Sequence, residues 1–340
     1  MLKRIFSGIQ PTGDIHVGNY LGAIKNWASL LDEYDCIYCI VDYHAMTVPY
    51  DPDLMPQRVL DAALVNIACG LDPQRCTLFV QSHVPEHTEL AWILNCITPI
   101  GDLERMTQFK QKSQEHRGNI NAGLLDYPVL QAADIIIYKA HYVPVGVDQV
   151  QHVELTRDIV RRFNQRFGET FPEPEVIQSP TPKVLGLDGK AKMSKSLNNY
   201  IGMLEEPETI WEKLRPAATC VHRVRRTDPG HPDECNIFTL HTAFDHPDRV
   251  PGVRQACETA AVGCIECKRE LWENMMAELK PIQEKARSLA ANPTLVREAL
   301  AAGAKRCKAM AEQTMEEVRS RLGLLSLERL TAPAREIADP

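Results

Sequence analysis

No run of about 18 or more apolar residues free of charge occurs in the 340-residue sequence, which excludes a membrane-spanning helix by hydropathy. Positive charge is not in excess either. With 38 Lys and Arg against 45 Asp and Glu, the formal charge is −7, which argues against a general nucleic-acid coat protein. A specific RNA partner is still allowed, because binding depends on where Lys and Arg cluster. Internal repeats and low-complexity tracts are absent. A signal-peptide core is absent too, because Met1-Leu-Lys-Arg-Ile-Phe-Ser-Gly8 turns polar too soon, and the expectation is a soluble cytoplasmic protein. What is present is ordinary for a globular chain: 44% hydrophobic and 24% charged residues. At roughly 150 residues per domain the length suggests two domains. Cysteine, at 11, is abundant, and in a reducing compartment it points to buried thiols or metal ligation rather than disulfides.

Residues 3–9 read as a strand, 19–34 as a helix, 36–43 (CIYCIVDY) as a second strand, 52–69 as a helix with Pro near its start, 76–81 (CTLFVQ) as a third strand and 86–96 as a helix. Such alternation implies an α/β domain with a parallel sheet covered on both faces, whose ligands bind outside the carboxyl ends of the strands. Residues 125–139 and 148–168 read as helices around a short segment at 142–146, and the Pro-rich 179–183 leads to a turn at Gly186-Leu-Asp-Gly189. Beyond about residue 207 strand signals nearly vanish, so a second, all-helical domain is expected, with 227–234 as an exposed loop and 331–340 as a flexible tail.

After the first strand, Gly8-Ile-Gln-Pro-Thr-Gly-Asp-Ile-His-Val-Gly-Asn19 forms a Gly-rich turn that delivers His16 to the start of a helix. Glycines allow close approach of a bulky ligand and a helix N-terminus favours anions, so the turn suits a phosphate; a plain turn with a surface His has the same pattern. Lys192-Met-Ser-Lys-Ser196 adds two ammonium groups three residues apart, able to close over a polyphosphate and neutralise a leaving pyrophosphate. A solvated Lys/Ser loop is the plain alternative, at odds with so specific a pentamer.

Pro11-Thr-Gly-Asp-Ile-His-Val-Gly-Asn19 resembles the first signature of class I aminoacyl-tRNA synthetases, and Lys192 to Ser196 is similar to the second. Within the class, Ile5-Phe-Ser-Gly-Ile-Gln-Pro11, Asp42-Tyr-His-Ala-Met-Thr47, Tyr127-Pro-Val-Leu-Gln-Ala-Ala-Asp134 and Val143-Pro-Val-Gly-Val-Asp-Gln-Val-Gln-His152 resemble the tryptophanyl-tRNA synthetase family. The resemblance implies a Rossmann-like catalytic domain at 1–200, completed by a C-terminal helix at 294–323, and an anticodon-binding helical domain at 201–293. It also implies a homodimer whose partners are L-tryptophan, ATP with Mg²⁺, and tRNA(Trp). The implied reaction is attack of the tryptophan carboxylate on the α-phosphate of ATP, then transfer of the aminoacyl group to the 3′-terminal adenosine. A carboxylate is already a nucleophile, so catalysis reduces to alignment and charge stabilisation.

By that resemblance His16, Lys192 and Lys195 are the catalytic residues. Gln10, Gly18, Asn19, Lys112, Asp148, Met193, Ser194 and Ser196 form the ATP side, with Asp148 at the ribose and Lys112 at the pyrophosphate. Phe6, Gly8, His44, Tyr127, Gln131, Asp134 and Gln149 form the tryptophan side. An indole pocket needs an apolar slot and an acceptor for the ring N–H, and Asp134 lies two turns along one predicted helix from Tyr127. A salt-bridged helix-face carboxylate is the plain alternative, but Asp134 adjoins an apolar run where an unpaired charge is costly. Gln131 stands where many bacterial relatives have Met.

Cys235, Cys257, Cys264 and Cys267 are separated by 21, 6 and 2 residues. On a continuous helix 257, 264 and 267 share one face, which suits a cluster or a plain core stripe. Four thiolates with one close pair fit an iron–sulfur cluster, a zinc site less well, or structural cysteines. The spacing resembles that of a subset of the same family holding a four-iron four-sulfur cluster. Cys36 and Cys39 lie in a predicted strand, where residues three apart face opposite ways, and read as core. Arg223, Arg225, Arg226, Lys268 and Arg269 make a local basic excess near the cysteines. The rival readings are a tyrosyl-tRNA synthetase and a non-catalytic regulator that binds tRNA or tryptophan.

Overall fold

The computed structural model describes residues 2–115, 120–178, 184–195, 197–327 and 330. The Pro-rich 179–183, Ser196 and the tail at 331–340 lie outside the described residues. Five short strands, β1 (Arg4–Ile9), β2 (Asp35–Ile40), β3 (Thr77–Val80), β4 (Tyr142–Val145) and β5 (Glu175–Gln178), form one sheet in the order β3-β2-β1-β4-β5. Every pairing is parallel. Strand order reverses between β1 and β4, which is where a doubly wound sheet opens a crevice for its ligand.

β1 and β2 pair in register from Arg4–Asp35 to Ile9–Ile40, whereas β1 and β4 pair only at Ile5–Tyr142. Pro144 has no N–H to give, and its carbonyl is taken by the Ser7 hydroxyl at 3.0 Å. The two strands therefore part toward their carboxyl ends.

The period-2 pattern splits the strand residues between two cores. Ile5, Cys36, Tyr38, Ile40 and Leu78 join one, and Phe6, Ile37, Cys39, Phe79 and Val143 join the other. Cys36 and Cys39 thus lie on opposite faces, both buried. The first core runs on without a break into Leu214, Ile237, Leu271, Met275 and Leu279 of the helical region, so the two regions share apolar packing. The long helix Pro293–Arg321 returns to lie along β3, where a Cβ on Gly303 would stand 2.0 Å from the Leu78 carbonyl. Only a glycine allows so close an approach, and the helix covers the edge of the sheet. Among the described residues no helix is long and apolar enough to cross a membrane.

Several boundaries differ from the sequence reading. The strand expected over 36–43 stops at Ile40, and Asp42–Ala45 is a helical turn. The Asp42 carboxylate accepts the backbone N–H of Tyr43 (3.1 Å) and of Ser82 (3.0 Å), bending the chain away from the sheet. The helix expected over 19–34 starts at Val17 and passes through a π-helical turn, Tyr20–Ile24, before Lys25–Ser29. β5 was not anticipated, and the segment at 142–146 is a strand. The helix assumed to carry Cys257, Cys264 and Cys267 is two helices, Val250–Glu258 and Cys264–Ala291, broken where Ala260 takes φ 57° and Arg226 binds the carbonyls of Ala260 and Ala261. Within the expected loop 227–234, Gly230 and Pro232 are buried.

Candidate active site

The turn after β1 delivers His16 as the N-cap of the helix beginning at Val17. Its Nδ1 accepts the Asn19 N–H at 3.2 Å while Asn19 Oδ1 accepts the His16 N–H, also at 3.2 Å. A lone pair on Nδ1 requires the neutral ring with its proton on Nε2. Burial, aided by the ammoniums of Lys195 and Lys192, pushes His16 down to about 4. A Cβ on Gly18 would lie 3.0 Å from His16 Nδ1, so the glycine leaves the imidazole its place.

The loop carrying the second signature folds over the same turn. Lys195 Nζ lies 3.9 Å from Asp14 Oδ2 and fills the space above Gly13, where a Cβ would sit 2.4 Å away; Gly13 has φ 124°, a conformation that suits glycine. Burial lowers the Lys195 pKa against the opposing pull of Asp14. Lys192 Nζ is 3.5 Å from Asp148 Oδ2, on the 3-10 turn Val147–Gln149 that follows β4. Burial would raise the Asp148 carboxyl, but Lys192 beside it brings it below its ordinary range. Met193 is buried, and Asn199 Oδ1 accepts the Ser194 N–H at 2.7 Å, which anchors the loop. His16, Lys192, Lys195 and Asp148 thus gather beyond the carboxyl ends of β1 and β4, with Gln10 partly buried on the turn after β1.

Helix Ala122–Ile136 supplies the other side. Tyr127 and Asp134 are both buried on it, and His44 touches both: its Nε2 is 2.8 Å from Asp134 Oδ2 and its ring lies edge-on to Tyr127 at 6.2 Å. Gln81 donates to both oxygens of Asp134 (2.8 and 2.9 Å), and His87 Nδ1 lies 2.6 Å from Oδ1. Complete burial would raise this carboxyl, yet the hydrogen bonds from His44 and His87 hold it below the usual carboxylate range. The Tyr127 hydroxyl meets His152 Nε2 at 2.9 Å, and burial raises the phenol. Burial, then the Lys112 ammonium, pushes His152 down to about 4. Phe6 stacks on Tyr138 at 5.7 Å, and Gly8 lies so close to β2 that a Cβ would meet Val41 Cγ1 at 2.7 Å.

Gln131 Nε2 reaches Gln149 Oε1 at 3.5 Å, and Gln149 reaches Asp148 at 3.4 Å, so the two sides are contiguous. Lys112, expected with the signature lysines, stands over the Tyr127 ring at 4.5 Å, because its helix Thr107–Glu115 packs on Ala122–Ile136. Gln81, His87, Tyr138 and His152 were not singled out as pocket residues. Gln81 and its neighbours just past the end of β3 were the one available signal.

The cysteines give a mixed picture. Among the described residues no group of three or more His, Cys, Asp or Glu side chains is assembled to hold a metal ion. Cys267 Sγ instead lies 3.3 Å from His241 Nε2. Burial, then Cys235, Cys257 and Cys264, pushes the Cys267 thiol up to about 12, so the other three lie within electrostatic reach of it. The basic excess is smaller than the sequence suggests. Lys268 is buried and donates to the carbonyls of Arg215 (2.8 Å) and Ala217 (2.6 Å), while Arg269 sits between the rings of Trp211 and Trp272 at 4.9 and 4.5 Å.

Comparison with known proteins gives the family. Residues 3–280 match the family described as tRNA synthetases class I (W and Y). A tryptophan–tRNA ligase of Deinococcus radiodurans is 50% identical over 331 residues, covering 96% of this chain and 100% of the relative. One from Caldanaerobacter subterraneus subsp. tengcongensis is 44% identical, covering 95% and 99%. A crystal structure of tryptophanyl-tRNA synthetase from Campylobacter jejuni, complexed with ADP and tryptophan, superposes with a TM-score of 0.82 at 36% identity, covering 94% of this chain and 100% of that one.

Proposed function

The chain belongs to the tryptophanyl-tRNA synthetase family of class I synthetases, and from that premise we propose how its residues divide the work of tryptophan–tRNA ligation. Tryptophan is activated with ATP to tryptophanyl-adenylate and pyrophosphate, and the aminoacyl group then passes to tRNA. Lys192 and Lys195 neutralise charge building on the leaving pyrophosphate, and neutral His16 donates a hydrogen bond from Nε2 to a phosphoryl oxygen. Asp148 orients the ribose with Gly18, Asn19 and Gln10 beside it. Met193, Ser194 and Ser196 belong to the closing loop. Mg²⁺ bound to the ATP phosphates would supply further charge neutralisation beside Lys192 and Lys195.

On the amino-acid side, Phe6, Gly8, His44 and Gln131 shape the indole slot, Asp134 accepts the ring N–H, and Tyr127 and Gln149 meet the amino group. Lys112 closes the slot over Tyr127. The observation that supports this reading is the run of contacts from the His16 turn and Lys192 through Asp148, Gln149 and Gln131 to the helix that carries Tyr127 and the buried Asp134. Amino-acid-dependent ATP–pyrophosphate exchange tests it. Exchange with tryptophan alone is expected, exchange with tyrosine returns the tyrosyl reading, and no exchange in folded protein returns the regulatory one.

Three further assignments belong to the same reading. The helical region contacts the tRNA anticodon, with Arg223, Arg225, Arg226 and Arg269 at that surface. Two copies pair through Trp92 and Ile100, which are 71% and 63% exposed beside a groove of about 500 Å³ lined by Cys96, Ile97 and Pro99. Replacing Trp92 with Glu and weighing the particle by light scattering tests the pairing. Cys235, Cys257, Cys264 and Cys267 are the ligands of a four-iron four-sulfur cluster. Their donor chemistry and mutual electrostatic reach support this, and such a group would tie together the two helices broken at 259–263. Iron and sulfide analysis of anaerobically purified protein decides between iron, zinc and plain thiols.

A further inference from the structure

Asp134 is tied into a buried hydrogen-bond chain that runs away from the pocket. Its Oδ1 meets His87 Nδ1 at 2.6 Å, and His87 Nε2 meets the Tyr138 hydroxyl at 2.6 Å. His87 is 0% exposed and Tyr138 1%, so neither group has water as an alternative partner. An ionised carboxylate only accepts, so His87 donates from Nδ1; a neutral imidazole then carries its lone pair on Nε2, where it accepts a hydrogen bond from the Tyr138 hydroxyl. The other oxygen, Oδ2, faces His44, whose ring borders Tyr127. One oxygen is therefore anchored by His87 and the other lies on the His44 and Tyr127 side, with Gln81 bridging both.

We propose that His87 is a positioning residue for substrate selection: backed by Tyr138, it pins Asp134 so that Oδ2 presents a fixed lone pair to the ring N–H of tryptophan. The proposal rests on Asp134 being the indole acceptor. With His44 and Gln81 also donating, His44 is the pocket-side donor whose place the incoming N–H takes. Without His87, and with His44 displaced by the incoming N–H, Gln81 alone holds the carboxylate, which can then tilt, or hold a proton and become a donor, and discrimination by hydrogen bonding falls while apolar contacts to the ring survive.

The test is steady-state ATP–pyrophosphate exchange with L-tryptophan and with 3-(3-benzothienyl)-L-alanine, which has the same shape but sulfur in place of N–H. Wild-type protein is expected to prefer tryptophan by at least about 10-fold in KM. No preference would overturn the reading of Asp134 itself. His87→Leu is expected to raise KM for tryptophan by about 10-fold with little change for the analogue or ATP. His87→Asn, whose amide can donate from the Nδ1 position, is expected to restore most of the preference. Equal losses for both amino acids, or an unchanged ratio in His87→Leu, would overturn the positioning role while leaving Asp134 as acceptor. If His87→Leu does not fold, Tyr138→Phe decides: it removes only the distal hydroxyl, and a ratio lowered by about 3-fold supports the chain. An unchanged ratio in that variant overturns it.

Discussion

At the end proposed for the nucleotide, Lys192 and Lys195 reach their acidic partners at 3.5 and 3.9 Å, and the Lys192 side chain is 61% exposed. At the amino-acid end, Asp134 is 1% exposed and contacted by His44, Gln81 and His87 at 2.6 to 2.9 Å. The contrast follows from what each end must recognise. A polyphosphate carries so much charge that flexible ammoniums suffice, and they must move with the charge as pyrophosphate leaves. One N–H on an apolar ring offers a single hydrogen bond, and it discriminates only if the acceptor is desolvated, correctly charged and already in place.

The largest effect that would break this comparison is at the loose end. Lys195→Ala is expected to lower kcat of ATP–pyrophosphate exchange by about 10²–10³-fold with KM for tryptophan nearly unchanged; a change confined to KM would show that the lysine merely binds. Asp134→Asn sharpens the other side. A neutral amide in the midst of three donors is expected to raise KM for tryptophan about 10–100-fold while KM for ATP stays level. Gly13→Ala probes the meeting of turn and loop: the new Cβ would intrude on Lys195 and strain a positive φ, for an expected loss of about 10-fold in kcat without loss of tryptophan affinity.

The smallest effect is on stability and pH. Folded His16 and His152 resist protonation down to about 4, against an ordinary value of 6.5, so between those pH values the unfolded chain binds more protons. Stability is then fully present above about 6.5 and declines as pH falls toward 4. Thermal melts across that window should show a Tm that falls with acidity, and less steeply in His152→Gln. A flat Tm would mean that neither ring is buried in its neutral form.

The parts of the fold legible beforehand are those whose signal is local. β1, β2 and β3 announce themselves as apolar runs, and helix Ala122–Ile136 by its periodicity, read beforehand over 125–139; its true start is set by Asn121, whose side chain accepts the Leu124 N–H. β4 hides behind Pro144, a residue that speaks against a central strand, and is tolerated because β1 pairs with it at one position only. β5 is four residues long with exposed Glu and Gln at its ends, so neither length nor apolarity marks it. The assumed continuous helix at the cysteines failed because nothing local shows that Arg226, 34 residues away, stabilises a break at Ala260. Lys268 reads as surface charge, and only the carbonyls of Arg215 and Ala217 make its burial tolerable.

By itself, the sequence carried the motifs on which the proposed nucleotide end rests. Phosphate recognition needs glycines, a helix start and paired lysines within short stretches of chain, and those are visible as spacing in Gly8 to Asn19 and Lys192 to Ser196. It also placed Tyr127 and Asp134 on one helix. Only the tertiary structure decided what Asp134 can do there. Its partners His44, Gln81 and His87 are 90, 53 and 47 residues away, on three other elements. The winding of a parallel sheet brings them together at its carboxyl edge, and burial makes their few hydrogen bonds decisive.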